Sequence, residues 1–95
     1  MKDKVANLIF EALSSLNEEL ENSNLNNPTL DTKIYGVDGN LDSLALVSFI
    51  ADLEELLSSE LNLDIILADE KAMSGRNSPF KDVQTLVNYI MSKVG

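Results

Sequence analysis

The twenty-two residues from Gly36 to Leu57 constrain this chain more than any other stretch; they read Gly-Val-Asp-Gly-Asn-Leu-Asp-Ser-Leu-Ala-Leu-Val-Ser-Phe-Ile-Ala-Asp-Leu-Glu-Glu-Leu-Leu. A Gly-rich acidic turn breaks off at Asp42, an N-cap residue type whose short carboxylate can accept a hydrogen bond from an orphan amide of a helix's first turn. Beyond it Leu46, Val47, Phe49, Ile50, Leu53, Leu56 and Leu57 recur at helical spacing. The pattern predicts a helix from Ser43 to about Leu61. Leu46 or Val47, with Ile50, Leu53 and Leu57, should face inward; Ser48, Asp52, Glu55 and Ser59 should face outward. Ser43 then occupies the first helical position, where unpaired N–H groups and the positive end of the macrodipole suit a group carrying a phosphate. Ser43 is therefore the candidate for covalent chemistry.

Two further amphipathic segments flank this one. Val5, Leu8, Ile9, Ala12, Leu13, Leu16 and Leu20 form an apolar stripe opposite Lys4, Asn7, Glu11, Ser15, Glu18 and Glu19. This predicts a first helix capped by Asp3 and ending near Leu20 or Glu21. Near the end of the chain Val83, Leu86, Val87, Ile90 and Met91 form a third stripe, begun by a cap at Asp82 or Ser78, with Lys93 near the negative end. Between the first two lies a long connection, 22–40, rich in Asn, Ser, Thr and Gly, with Leu25, Leu30, Ile34, Tyr35 and Val37 as apolar anchors. Such a loop packs across helices as an ordered unit, its Asn clusters being the loosest part. Leu61–Leu67 has no clear period and reads as an extended piece or a bend. Ala68–Met73 is a short helix-forming run stopped by Ser74–Pro79.

Ninety-five residues, 44% of them hydrophobic, make one domain able to close a core without staples. Cysteine and histidine are both absent, which excludes disulfides, thiolate metal sites and the commonest general base. Any functional thiol must arrive with a cofactor. A hydrolase would need a Ser-Lys or carboxylate mechanism, and no Lys lies near Ser43 in sequence. Asp38, Asn40 and Asp42 alternate as in a calcium loop, but that register puts Ser43 at the glycine position and Phe49 at the bidentate glutamate position. The formal net charge of −9 disfavours nucleic acid and anionic membrane. Nine of the sixteen acids fall between Gly36 and Glu70, where there is no Lys or Arg. Singly these carboxylates read as a solvated face; as a one-signed block they read as a docking surface for basic patches, with Asp52, Glu54, Glu55 and the neighbouring Val47 as candidates. No secretory signal or transmembrane run is visible, so the expectation is a cytoplasmic monomer.

Leu41-Asp42-Ser43-Leu44 ahead of an acidic amphipathic helix resembles the attachment motif of the acyl carrier proteins. Ile66–Met73 and Ser78-Pro79-Phe80 resemble small discrete carriers of specialised pathways, so the likeness covers most of the chain. It implies an all-α bundle of three long helices and one short one with a long first loop. It further implies that 4′-phosphopantetheine, delivered from coenzyme A by a phosphopantetheinyl transferase, is attached to Ser43. Its partners would be acyl-loading and acyl-transfer enzymes with basic docking patches. On this resemblance Asp42 orients the serine or holds a metal during transfer, a role that stands beside its plain function as a cap. Leu44 and Val47 sit beside the arm, with core packing the competing reading, weaker for Leu44. Housekeeping fatty-acid carriers have acids two and five positions after the serine, where this chain has Ala45 and Ser48, which points to dedicated partners. An aminoacyl or peptidyl carrier, or an acidic helical interaction module without any prosthetic group, are the alternatives.

Overall fold

A computed structural model describes residues 2–36, 39–67 and 79–94, without the side chains of Asn24, Ser43 and Val94. Among these residues there are three α-helices and no strands: α1 (Lys2–Leu20), α2 (Ser43–Leu61) and α3 (Val83–Val94), with a 3-10 turn at Ser23–Leu25. The short helix expected over 68–73, the anchor Val37 and the alternative cap Ser78 lie outside the described residues. The fold is thus all-helical with a long first connection, and α2 has the bounds its periodicity predicts.

Helix α1 packs against both α2 and α3 and is the hub of the bundle. Val5, Leu8, Ile9, Ala12, Leu13 and Leu16 are buried along it, while Leu20, the last residue of the stripe, is 39% exposed. Asp3 is not its cap. The helix begins at Lys2, so Asp3 lies in the first turn, where its charge still opposes the macrodipole. Phe49, Leu53 and Leu57 of α2 and Val83, Leu86 and Ile90 of α3 complete a single core with Ile34, Leu67 and Phe80 from the connecting segments. Leu46, at 1% exposure, takes the inward place that Val47 also fitted.

The long connection is ordered by its own polar groups. Asn17, the buried polar side chain of α1, donates from Nδ2 to Asn26 Oδ1 (2.9 Å) and accepts from the Asn22 amide (2.7 Å). The stretch that reads as loosest in composition is therefore tied to the end of α1. Further on, the chain pairs with the approach to α3: Ile34 and Tyr35 amides donate to Lys81 and Phe80 carbonyls, and Val83 and Gln84 amides donate to Thr32 and Leu30 carbonyls. The last two bonds satisfy orphan donors of the first turn of α3. Asp82 supplies another partner, its Oδ1 accepting from the Thr85 amide at 2.7 Å, so Asp82 rather than Ser78 starts this helix. Met91 packs half-buried against the core, and Lys93 Nζ lies 4.9 Å from the centre of the Tyr89 ring.

Candidate functional site

The approach to α2 is a tight excursion closed by the bond from the Leu41 amide to the Ile34 carbonyl (2.9 Å). Two glycines permit it. Gly36 has φ +120°, which L side chains rarely adopt, and a Cβ on Gly39 would stand 2.5 Å from Tyr35 Cα. Asn40 holds the base of the excursion, donating to the Lys33 carbonyl (2.7 Å) and accepting from Asn22 Nδ2 (3.4 Å). Asn22 in turn bonds Asn17, so a relay of amides joins the end of α1 to the residues just before α2. Leu41 is buried, and the chain emerges at Asp42.

Asp42 is the N-cap, with φ −86° and ψ −178°; its Oδ1 accepts from the Ala45 amide at 2.8 Å and its carbonyl from Leu46 at 2.9 Å. The capping role of the sequence reading is thus filled, and Ser43 is the first residue of α2. The Leu44 side chain is 82% exposed. The start of the helix thus has its cap carboxylate bonded to Ala45 and an exposed Leu44 directly after residue 43.

Val47 is 53% exposed and, with Leu44, is surface and not core. Residues 44, 47, 51 and 54 share one helical face, so Leu44, Val47 and the exposed Ala51 form an apolar strip that ends at Glu54. Glu54 is partly buried and accepts a hydrogen bond from the Leu67 amide at 2.6 Å. Of the three acidic docking candidates, Asp52 and Glu55 are exposed, whereas Glu54 also holds the segment after α2 in place. That segment turns back at Asn62 in the left-handed region (φ 54°), with Leu63 and Asn62 amides bonded to Leu57 and Ser58 carbonyls, a Schellman closure. It buries Leu67 and leaves Ile66 75% exposed.

Sequence reasoning missed two parts of this neighbourhood. The amide relay uses residue types common in any polar loop, and nothing in their spacing marks them as partners. A groove of about 240 Å³ runs between α1 and α2, lined by Glu11, Ser15, Asp52, Glu55, Leu56 and Ser59 over the buried Ala12. Its α1 side was legible only as an outward face. A second cleft of about 360 Å³, between the first turns of α1, Leu30 and Val87, has both Lys2 and Asp3 on its rim. Among the described residues no group of three or more His, Cys, Asp or Glu is arranged to hold a metal ion, and no helix is long and apolar enough to cross a membrane.

No family model matches this chain, and neither the curated proteins nor the solved structures give a match.

Proposed function

We propose that the chain is an acyl carrier protein, holding an acyl intermediate on a 4′-phosphopantetheine arm attached to Ser43 and presenting it to partner enzymes of fatty-acid, polyketide or related biosynthesis. The observation that carries the reading is the start of α2: residue 43 stands first in the helix, behind a satisfied Asp42 cap and before a solvent-exposed Leu44. The arm supplies a terminal thiol, which this cysteine-free chain lacks, and that thiol carries the acyl group as a thioester. In the loading step the Ser43 hydroxyl oxygen would form a new phosphodiester bond to the phosphorus of the pantetheine arm as the pyrophosphate linkage of coenzyme A breaks, adenosine 3′,5′-bisphosphate leaving with the bridging oxygen and the hydroxyl proton passing to the transferase. Asp42 caps the helix by accepting from the Ala45 amide, and the positive end of the α2 macrodipole would favour a phosphate charge on residue 43. Leu44 and Val47 give an entering enzyme an apolar contact next to the attachment point, and Asp52 and Glu55 attract its basic groups. A tethered cargo gains effective concentration at each active site, so these contacts need only be brief.

The second reading is an acidic interaction module without a prosthetic group, favoured by the exposed Leu44, Val47 and Ala51 on a helix that also exposes Asp52 and Glu55. Coexpression with a broad-specificity phosphopantetheinyl transferase followed by intact-mass measurement separates the two. A gain of about 340 Da, the mass expected of the arm, located on Ser43 and lost in a normally helical Ser43→Ala protein, supports the carrier. An unmodified chain, under conditions that load a control carrier, supports the module. Aminoacyl or peptidyl cargo would give the same mass gain and is distinguished by which loading enzyme accepts the product.

A further inference from the structure

We propose that the groove between α1 and α2 is a docking site for a basic amphipathic helix of a partner protein, which sets Lys or Arg against Glu11, Asp52 and Glu55 and one apolar side chain over Leu56. Three of the residues that line the groove have short side chains, Ala12 and Ser15 on α1 and Ser59 on α2, and Leu56 on α2 is half-buried beside them. Asp52, Glu55, Leu56 and Ser59 follow one another at helical spacing and form one wall; Glu11, Ala12 and Ser15 form the other.

Size and charge decide the occupant. About 240 Å³, open along one side, lies below the roughly 300–1,000 Å³ of sites that enclose small molecules. The three carboxylates are not grouped to hold a metal ion. What remains is a partner's side chains, and the field selects their sign. Between Val5 and Glu70 the sole basic residue is Lys33, whose Nζ lies 3.8 Å from Asp82 Oδ2. A groove with acids on both walls and an apolar floor complements a helix that alternates cations with a hydrophobic anchor. The site extends the docking surface from α2 onto α1, and it rests on the carrier reading only in taking the partner to be an enzyme that handles the carrier.

The test is a titration of the isotope-labelled full chain, followed by NMR, with a synthetic helical peptide of about 18 residues carrying Lys and Arg on both sides of a Leu stripe. The same peptide with Glu at every basic position is the comparison. Amide shifts should concentrate at Glu11, Ser15, Asp52, Glu55 and Leu56, fade with rising salt, and be absent with the acidic peptide. Glu11→Lys and, from the facing helix, Glu55→Lys should each weaken binding about fivefold, close to 1 kcal/mol. Asp31→Lys, an equal charge change in the exposed loop, should weaken it less than about twofold. Equal effects at residues 11 and 31, shifts confined to Leu44 and Val47, or no binding by the basic peptide would each overturn the groove. Ser43→Ala should bind the peptide as the parent does. Failure of Ser43 to load with peptide binding intact would therefore remove the carrier reading and spare the groove; the reverse pattern would do the opposite.

Discussion

Asp42 and Asp82 do the same local job in different surroundings. Each accepts from the amide three residues on and so removes one orphan donor from a helix start. Around Asp82, burial alone would raise the carboxyl pKa. The side-chain and backbone hydrogen bonds of Thr85, with Lys33 and Lys81 nearby, outweigh that and leave it below the ordinary aspartate value. A carboxyl depressed in the folded state contributes stability that is present in full above its unfolded pKa, about 3.9, and is lost as the pH falls through the folded value. Asp82→Ala should cost about 1 kcal/mol at pH 7. Asp82→Asn keeps an acceptor and isolates the charge, so its deficit against the parent in urea unfolding should shrink between pH 6 and about pH 3. A deficit that grows on acidification would mean that the charge is not stabilising.

At the scale of elements, α2 is held at both ends and clipped on its flank. Asp42 closes its start, the Schellman turn at Asn62 closes its end, and Glu54 binds the returning segment through the Leu67 amide. Leu67 is fully buried, so truncating Glu54 leaves its amide without an acceptor in an apolar place. Glu54→Ala should therefore cost about 1.5–3 kcal/mol in chemical denaturation and increase hydrogen exchange at Leu67. Glu55→Ala, one residue on and exposed, should change stability by less than about 0.5 kcal/mol. Equal costs would show that the hydrogen bond contributes nothing. The contrast matters for function, because it assigns a structural duty to one of two adjacent acids that the sequence presents as equivalent docking charges.

Across the whole molecule the governing feature is an excess of negative charge on a small core. A net charge of −9 on 95 residues repels itself in the folded state more than in the expanded chain. Raising sodium chloride from about 10 mM to about 500 mM shortens the Debye length from about 30 Å to a few ångströms and should raise the melting temperature by a few degrees. A lower melting temperature would mean that attractive pairs such as Lys33–Asp82 dominate. The same field that burdens the fold would hasten encounter with basic partners, so salt should act on stability and docking in opposite directions.

Periodicity and capping act within a few residues, and those parts of the protein were legible without a structure. The limits of α2 follow from Asp42 and the leucine spacing, the stripes of α1 and α3 from their own periods, and the candidacy of Ser43 from its position after the cap. The exposure of Leu44 and Val47 beside a buried Leu46 was not legible, because two adjacent apolar residues both fit the edge of a helical stripe and only the neighbouring helix decides between them. Nor was the groove, whose walls are forty residues apart, the amide relay from Asn17 through Asn22 to Asn40, or the second occupation of Glu54. Local chemistry determines where a helix begins and which way it turns; which of its outward groups remain free for a partner is decided only when distant segments return to claim the others.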